Sequence, residues 1–102
     1  MSRVVGIDLG DRKGHYCVLN EDGAVIEEGS VQSTPAAFKA HFEVLESSLS
    51  ALEVGVHSRW VSRVLADCGH QVIVANRVRL KLINKSSSKS DRVDACALAR
   101  LV

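Results

Sequence analysis

The sequence predicts an α/β fold, in which a mixed five-stranded sheet with three antiparallel and then two parallel strands is flanked by helices. Three observations predict it. Short apolar runs separated by turn residues open the chain, which indicates antiparallel strands. The hydrophobic spacing then changes to that of a helix. Short apolar runs and helical segments alternate after that, which is typical of parallel strands joined by helical crossovers.

The first three strands follow from apolar runs and one turn signal. Arg3–Leu9 is rich in Val and Ile and ends before Gly10. His15–Asn20 and Ala24–Val31 flank Glu21-Asp22-Gly23. Because Asp-Gly is a strong hairpin signal, we expect these two segments to pair as antiparallel strands.

A helix is expected after the third strand. Thr34 supplies an N-cap and Pro35 a proline for the first turn. Apolar residues then recur at helical spacing: Phe38, Phe42, Leu45 and Leu49. The pattern predicts one helix with an apolar stripe.

The middle of the chain alternates strand and helix. Ala51–Gly55 is an apolar run, and His57–Cys68 has helical spacing and ends before Gly69, a frequent helix stop. Gln71–Ala75 predicts the fifth strand.

The last quarter is polar and basic. Asn76–Asn84 fits either a helix or an irregular basic segment, and Ser86–Ser90 predicts a loop. Ser90 can cap a last helix over Asp91–Leu101.

The composition is that of a globular domain. With 102 residues, of which 46% are hydrophobic and 25% charged, we expect a single domain over residues 1–102. The chain has neither an apolar run of membrane-spanning length nor a signal peptide, so we expect a cytoplasmic protein without membrane contact. Cys17, Cys68 and Cys96 lack metal-site spacing, and we expect them to be reduced residues of the core.

Positive charge is concentrated in one segment, although the net charge is only +1. Between residues 77 and 92, six basic residues stand against a single acid, Asp91, and are candidates for contact with nucleic-acid phosphates. They are Arg77, Arg79, Lys81, Lys85, Lys89 and Arg92. A solvated surface is nearly as good an explanation for any one of them.

Two acidic residues end predicted strands. Asp8 closes the first strand and Glu53 lies near the end of the fourth. Strand ends at the carboxyl edge of a sheet are where open α/β folds place ligands. If the two strands are neighbours, the two carboxylates lie together.

Two further acids share one face of the last predicted helix. Asp91 and Asp94 are three residues apart, on the arc that also carries Leu98, whereas Arg92 and Arg100 lie on the other side. Four carboxylates at one edge would repel each other without a cation, and hard divalent ions such as Mg²⁺ or Mn²⁺ prefer oxygen ligands. The alternative is structural: helix-dipole pairing for Asp91, a turn at Asp8 and an ion pair at Glu53.

Five segments resemble the N-terminal domain of DEDD-type insertion-sequence transposases. They are Gly6–Gly10, Leu52–Trp60, Val74–Arg77, Lys89–Ala95 and Leu98–Leu101. The resemblance covers nearly the whole chain, and the D-R-V-D-A segment before L-A-R-L is its most specific part.

The resemblance implies a ribonuclease-H-like, RuvC-like fold. It implies that Asp8, Glu53, Asp91 and Asp94 are catalytic metal ligands in DNA strand cleavage and exchange. DNA, a guide (bridge) RNA and a homodimer or homotetramer are the implied partners. The family also has a C-terminal domain with a serine nucleophile, which a chain ending at Val102 does not contain, so we expect incomplete activity.

Two other functions fit parts of the sequence. G-I-D-L-G followed by a hairpin also opens the phosphate-binding lobe of sugar-kinase and actin-like ATPases, although Asp11-Arg12-Lys13 occupies a turn where that lobe needs small residues. A scaffold that docks RNA, DNA or subunits, with structural acids only, is the non-enzyme alternative.

Three residues near Glu53 invite a chemical role. We expect Ser58 to cap a helix, His57 to lack an acidic partner and Trp60 to pack in the core. Asp11 is expected in an exposed turn.

Overall fold

The computed structural model of the protein describes residues 3–75 and 95–101. These ranges contain five strands and three helices. In chain order they are β1 (Val4–Asp8), β2 (Lys13–Leu19), β3 (Val25–Gln32), α1 (Pro35–Phe42), β4 (Leu49–Glu53), α2 (Ser58–Asp67), β5 (Gln71–Ala75) and α3 (Ala95–Leu101). The predictions for Asn76–Asn84 and Ser86–Ser90 lie outside the described residues.

The five strands form one sheet in the order β3-β2-β1-β4-β5. β1, β2 and β3 pair antiparallel, whereas β1 with β4 and β4 with β5 pair parallel. The predicted mixed sheet is therefore confirmed, and β1 and β4 are neighbours within it.

The turn between β2 and β3 has the predicted chemistry. Gly23 has a φ of +81°, which favours glycine. The Asn20 side-chain oxygen accepts hydrogen bonds from the backbone N–H groups of Asp22 (2.9 Å) and Ala24 (3.0 Å). Local turn chemistry thus joins the two strands.

Helix α1 begins as predicted but is shorter. The Thr34 hydroxyl oxygen accepts from the Ala37 N–H at 3.2 Å. The helix ends at Phe42, and Leu49 is the first residue of β4, so its assignment to the helix was wrong. The Leu49 N–H donates to the Arg3 carbonyl at 3.0 Å. The pairing of Leu49 with the strand β1 thus outweighs its helical spacing from Phe42 and Leu45.

One face of the sheet, here called the aromatic face, is covered by α1 and α2. Phe38, Phe42, Val61 and Leu65 are at most 1% exposed and pack with β1, β2 and β4. Trp60 meets the Phe38 ring edge to face, with centroids 5.5 Å apart, so its predicted packing role is confirmed.

The opposite face is covered by α3 through small residues. We call it the small-residue face and define it by Gly6, Cys17, Ala95 and Ala99. A Cβ atom at Gly6 would overlap the Ala95 carbonyl oxygen and lie 2.7 Å from the Ala99 nitrogen. Only glycine lets the α3 backbone lie this close to β1.

Cys17 and Cys96 form a disulfide across this face, with Cα atoms 5.1 Å apart. The prediction that all cysteines are reduced was wrong for this pair. Cys17 is opposite Gly6 in the sheet, so the close approach of α3 brings Cys96 to it. Cys68 is a free thiol, and burial raises its pKa.

None of the helices within residues 3–75 and 95–101 is both long enough and apolar enough to cross a lipid bilayer.

Candidate metal-binding edge

Asp8 and Glu53 end the two central parallel strands. Ile7 pairs with Leu52, and the two acids are the next residue of each strand. Both are partly buried. Neighbouring strands are only about 4.8 Å apart, so the structure brings these two predicted site residues together at the carboxyl edge.

Both acids belong to the small-residue face. Side chains two residues apart in a strand share a face, so Asp8 lies on the side of Gly6 and Glu53 on the side of Ala51. Gly6 is paired with Ala51 and touches the α3 backbone. The two carboxylates are therefore on the face that α3 covers.

The other two predicted ligands, Asp91 and Asp94, lie outside the described residues. Asp94 directly precedes Ala95 in the chain. Ala95 is buried against Gly6, two residues before Asp8 on the same face. Leu98, on the predicted inner side of this helix, is buried, and Arg100, on the predicted outer side, is exposed, as expected.

The predicted nucleic-acid contacts also lie outside the described residues. They are Arg77, Arg79, Lys81, Lys85, Lys89 and Arg92. Their role stays a prediction.

A hydrogen-bonded group beside this edge was not predicted. His57 Nε2 lies 3.1 Å from Asp11 Oδ1, and the Trp60 indole N–H donates to His57 Nδ1 at 3.1 Å. Asp11 follows Asp8 by three residues and His57 follows Glu53 by four, so the group joins the loops that follow the two central strands. The expectation that His57 lacks an acidic partner was wrong. Asp11 is 46 residues away in the sequence, so no local pattern indicated this contact.

These contacts define the role open to His57. Because Nδ1 accepts from Trp60, the ring proton is on Nε2 and is donated to Asp11. Both ring nitrogens are engaged, so His57 holds the two loops together and is poorly placed to act as a base. The Asp11 side chain is 92% exposed, as expected for a turn, and its hydrogen bond to His57 is correspondingly weak.

Ser58 does not cap α2, contrary to the prediction. His57 holds the N-cap position and Ser58 is the first helical residue. The Ser58 hydroxyl donates to the Gly55 carbonyl at 2.8 Å and accepts from the Gly55 N–H at 3.2 Å. It therefore shapes the loop that follows Glu53.

The donor set at the edge suits a hard cation. Two carboxylates on neighbouring strands destabilise each other by repulsion, and Mg²⁺ and Mn²⁺ take carboxylate oxygens as ligands. Asp8 and Glu53 could hold such an ion.

A family model described as "Transposase", that of the DEDD transposases of IS110, matches residues 5–102. No curated protein matches the sequence. RuvC of T. thermophilus in complex with a Holliday junction substrate has a TM-score of 0.66 at 13% sequence identity, over 97% of this chain and 90% of that chain.

Two further solved structures are similar. The fowlpox virus resolvase complex with Holliday junction DNA has a TM-score of 0.54 and 14% identity, over 97% of this chain and 92% of that chain. The ROK hexokinase from Thermus thermophilus has a TM-score of 0.58 and 16% identity, over 87% of this chain but only 38% of that chain. The predicted RuvC-like, ribonuclease-H-like fold is thus confirmed.

Proposed function

The chain belongs to the DEDD transposase family, and from this premise we propose that it is the metal-dependent, DNA-cleaving domain of a transposase. The observation that carries the proposal is the position of Asp8 and Glu53. They end adjacent parallel strands at the carboxyl edge, on one face of the sheet. A divalent metal bound at a carboxylate site of this kind can catalyse phosphodiester cleavage.

The proposed ligands are Asp8, Glu53, Asp91 and Asp94, and the proposed ion is Mg²⁺ or Mn²⁺. Asp94 belongs to the set because Ala95, the next residue, packs on Gly6 close to Asp8 in the strand. When bound, the ion would activate the attacking oxygen and stabilise the leaving one. The carboxylates hold it, and the His57–Asp11 bond keeps the loops behind them in place.

The proposed substrate is DNA, with branched DNA as the first probe, because the RuvC and fowlpox resolvase structures contain Holliday junctions. The basic residues between positions 77 and 92 are the proposed phosphate contacts. Action in the cytoplasm, a guide RNA and a dimer or tetramer belong to the same proposal. They rest on the family resemblance.

We also infer that residues 1–102 are one domain of the transposase. The support is the single sheet: β1, the first described element, is its central strand, and α3, the last described element, packs against it.

The test combines metal binding and cleavage. We expect Mg²⁺ or Mn²⁺ to raise the melting temperature of the wild type beyond a matched KCl control, since an ion that binds the native state stabilises it. In Asp8→Asn and Glu53→Gln this shift should vanish. Mn²⁺-dependent cleavage of a synthetic Holliday junction should fall by at least the roughly 10–100-fold that loss of an outer-shell partner of a metal ligand causes.

Asp22→Asn, in the exposed β2–β3 turn, is the matched control and should behave as the wild type. Junction binding without any metal effect would replace the nuclease proposal by the scaffold alternative. Tight ATP binding would favour the kinase-like lobe. That lobe is disfavoured because the Asp11 carboxylate occupies the turn after β1 and would repel a phosphate.

A further inference from the structure

Three chemically reactive groups meet on the small-residue face, away from the strand ends. The sulfur atoms of Cys17 and Cys96 and a carboxylate oxygen of Glu28 all lie within 4.8 Å of one another. Cys17 and Glu28 are paired residues of β2 and β3, and Cys96 is the second residue of α3. One sulfur belongs to the sheet and the other to the helix.

The position of Cys96 suits two states of the pair. The two cysteines form a disulfide. As a thiol, Cys96 would donate to Glu28 Oε1, which lies 3.5 Å from its sulfur. The Cys96 sulfur therefore has a partner in the oxidised state, Cys17, and a hydrogen-bond acceptor close by in the reduced state, Glu28, once the two sulfurs separate. This favours reversible chemistry.

The two sulfurs also differ in access. Cys17 is 0% exposed, whereas Cys96 is only partly buried. A small reagent can therefore reach Cys96 but not Cys17. In thiol–disulfide exchange this assigns Cys96 as the reacting cysteine and Cys17 as the resolving one.

We propose that Cys17 and Cys96 are a reversible thiol–disulfide exchange site, with low-molecular-weight disulfides and thiols as its reactants, and that its state decides how firmly α3 is held on the sheet. On oxidation, the Cys96 thiolate attacks a small disulfide and releases one small thiol. Cys17, losing its proton, then attacks Cys96 and releases the second. Two protein thiols and one small disulfide become one protein disulfide and two small thiols.

The consequence concerns the chain that enters α3. Contact between Gly6 and Ala95 holds the start of α3 on β1, and the disulfide adds a covalent tie one residue later. Asp94 directly precedes this point in the sequence. If the metal site is as proposed above, reduction should weaken Mg²⁺ binding, and this last step rests on the proposed function.

The chemistry is tested without metal or DNA. The chain is equilibrated in EDTA with oxidised or reduced glutathione. It is then unfolded in denaturant, so that buried Cys17 is also accessible, and free thiols are counted by alkylation and mass spectrometry. We expect one alkylated thiol, Cys68, after oxidation and three after reduction. Reduction should lower the melting temperature by roughly 10 °C or more, as for the loss of a long-range disulfide in a domain of this size.

Two variants sharpen the result. Cys96→Ser, at the more exposed position, should melt like the reduced wild type under both conditions. Cys68→Ser leaves the pair intact and should keep the full difference. Three alkylated thiols after oxidation, or equal melting temperatures in both states, would overturn the proposal.

A separate titration with Zn²⁺, in buffer without EDTA, gives a further test. Protection of both thiols by Zn²⁺, with no disulfide formed afterwards by oxidised glutathione, would identify a thiolate metal site and overturn the exchange proposal. Because these readouts exclude Mg²⁺ and DNA, their failure is distinct from failure of the nuclease proposal.

Discussion

The two faces of the sheet are covered by different kinds of contact. On the aromatic face, large side chains from α1 and α2 fill the space above β1 and β4. On the small-residue face, the α3 backbone lies directly on Gly6 and is tied by a disulfide. The first arrangement stabilises through buried apolar area, which tolerates some repacking. The contact on the small-residue face depends on the close fit of the α3 backbone against Gly6. This is also the face that carries Asp8 and Glu53.

The largest expected effect is on the aromatic face. Phe42 is 0% exposed, so Phe42→Ala should lower the free energy of unfolding by about 3–5 kcal/mol, through lost burial and a cavity. Urea denaturation measures it. Val44→Ala, at a 77% exposed position, should change stability by less than about 0.5 kcal/mol. Similar losses in both variants would refute the packing assigned to Phe42.

The next effect tests the small-residue face. Gly6→Ala should cost about 1–3 kcal/mol, because the added methyl group meets backbone atoms of α3 that cannot rotate away. It should also leave Cys96 open to alkylation under oxidising conditions, since α3 is displaced. Gly55→Ala is the matched control, because a Cβ there meets nothing within 4 Å. Unaltered disulfide formation in Gly6→Ala would contradict the close approach.

A pH-dependent effect belongs to Tyr16 on the aromatic face. Burial, and then the hydrogen bond to Glu27 (2.7 Å), raise the pKa of Tyr16 to about 12. The folded chain thus keeps a proton that the unfolded chain loses near the ordinary value of 10.0. The contribution of the protonated Tyr16 to the free energy of unfolding is complete below pH 10 and is lost as the pH rises towards 12.

The matching variant is Tyr16→Phe. It should be about 1 kcal/mol less stable than the wild type at pH 8, and the difference should shrink between pH 10 and pH 12. Chemical denaturation along this pH series measures it, and a difference that does not depend on pH would rule out the perturbed phenol.

The smallest effect on stability concerns the loops behind the carboxylates. His57→Gln should cost less than about 1 kcal/mol, because its bond to the highly exposed Asp11 is weak. It should nevertheless reduce the Mn²⁺-induced rise in melting temperature, since the loops after Asp8 and Glu53 are no longer joined. Arg59→Gln, an exposed neighbour, is the control. Equal metal responses would remove His57 from the site.

Features that depend on residues close together in the sequence could be predicted, whereas features that depend on residues far apart in the sequence could not. The Asp22-Gly23 turn, the Thr34 cap and the positions of Asp8 and Glu53 at or near the ends of strands follow from neighbouring residues, and all are present. The disulfide links cysteines 79 residues apart. It depends on how closely α3 approaches Gly6, which no local pattern encodes.

The same reason explains the other differences. His57 meets Asp11 only because β1 and β4 are adjacent, and Leu49 joins β4 because β1 and β5 offer partners on both sides. In each case a contact between distant segments outweighed a local preference.

The place of β1 also bears on how the chain folds. β1 precedes the other four strands in the chain, yet it lies at the centre of the sheet, and α3, the last described helix, covers one of its faces. The β1–β2–β3 hairpins can form from nearby residues, whereas α3 must close a loop that spans most of the chain. On the ribosome, we therefore expect the small-residue face to stay open to solvent until α3 has been synthesised.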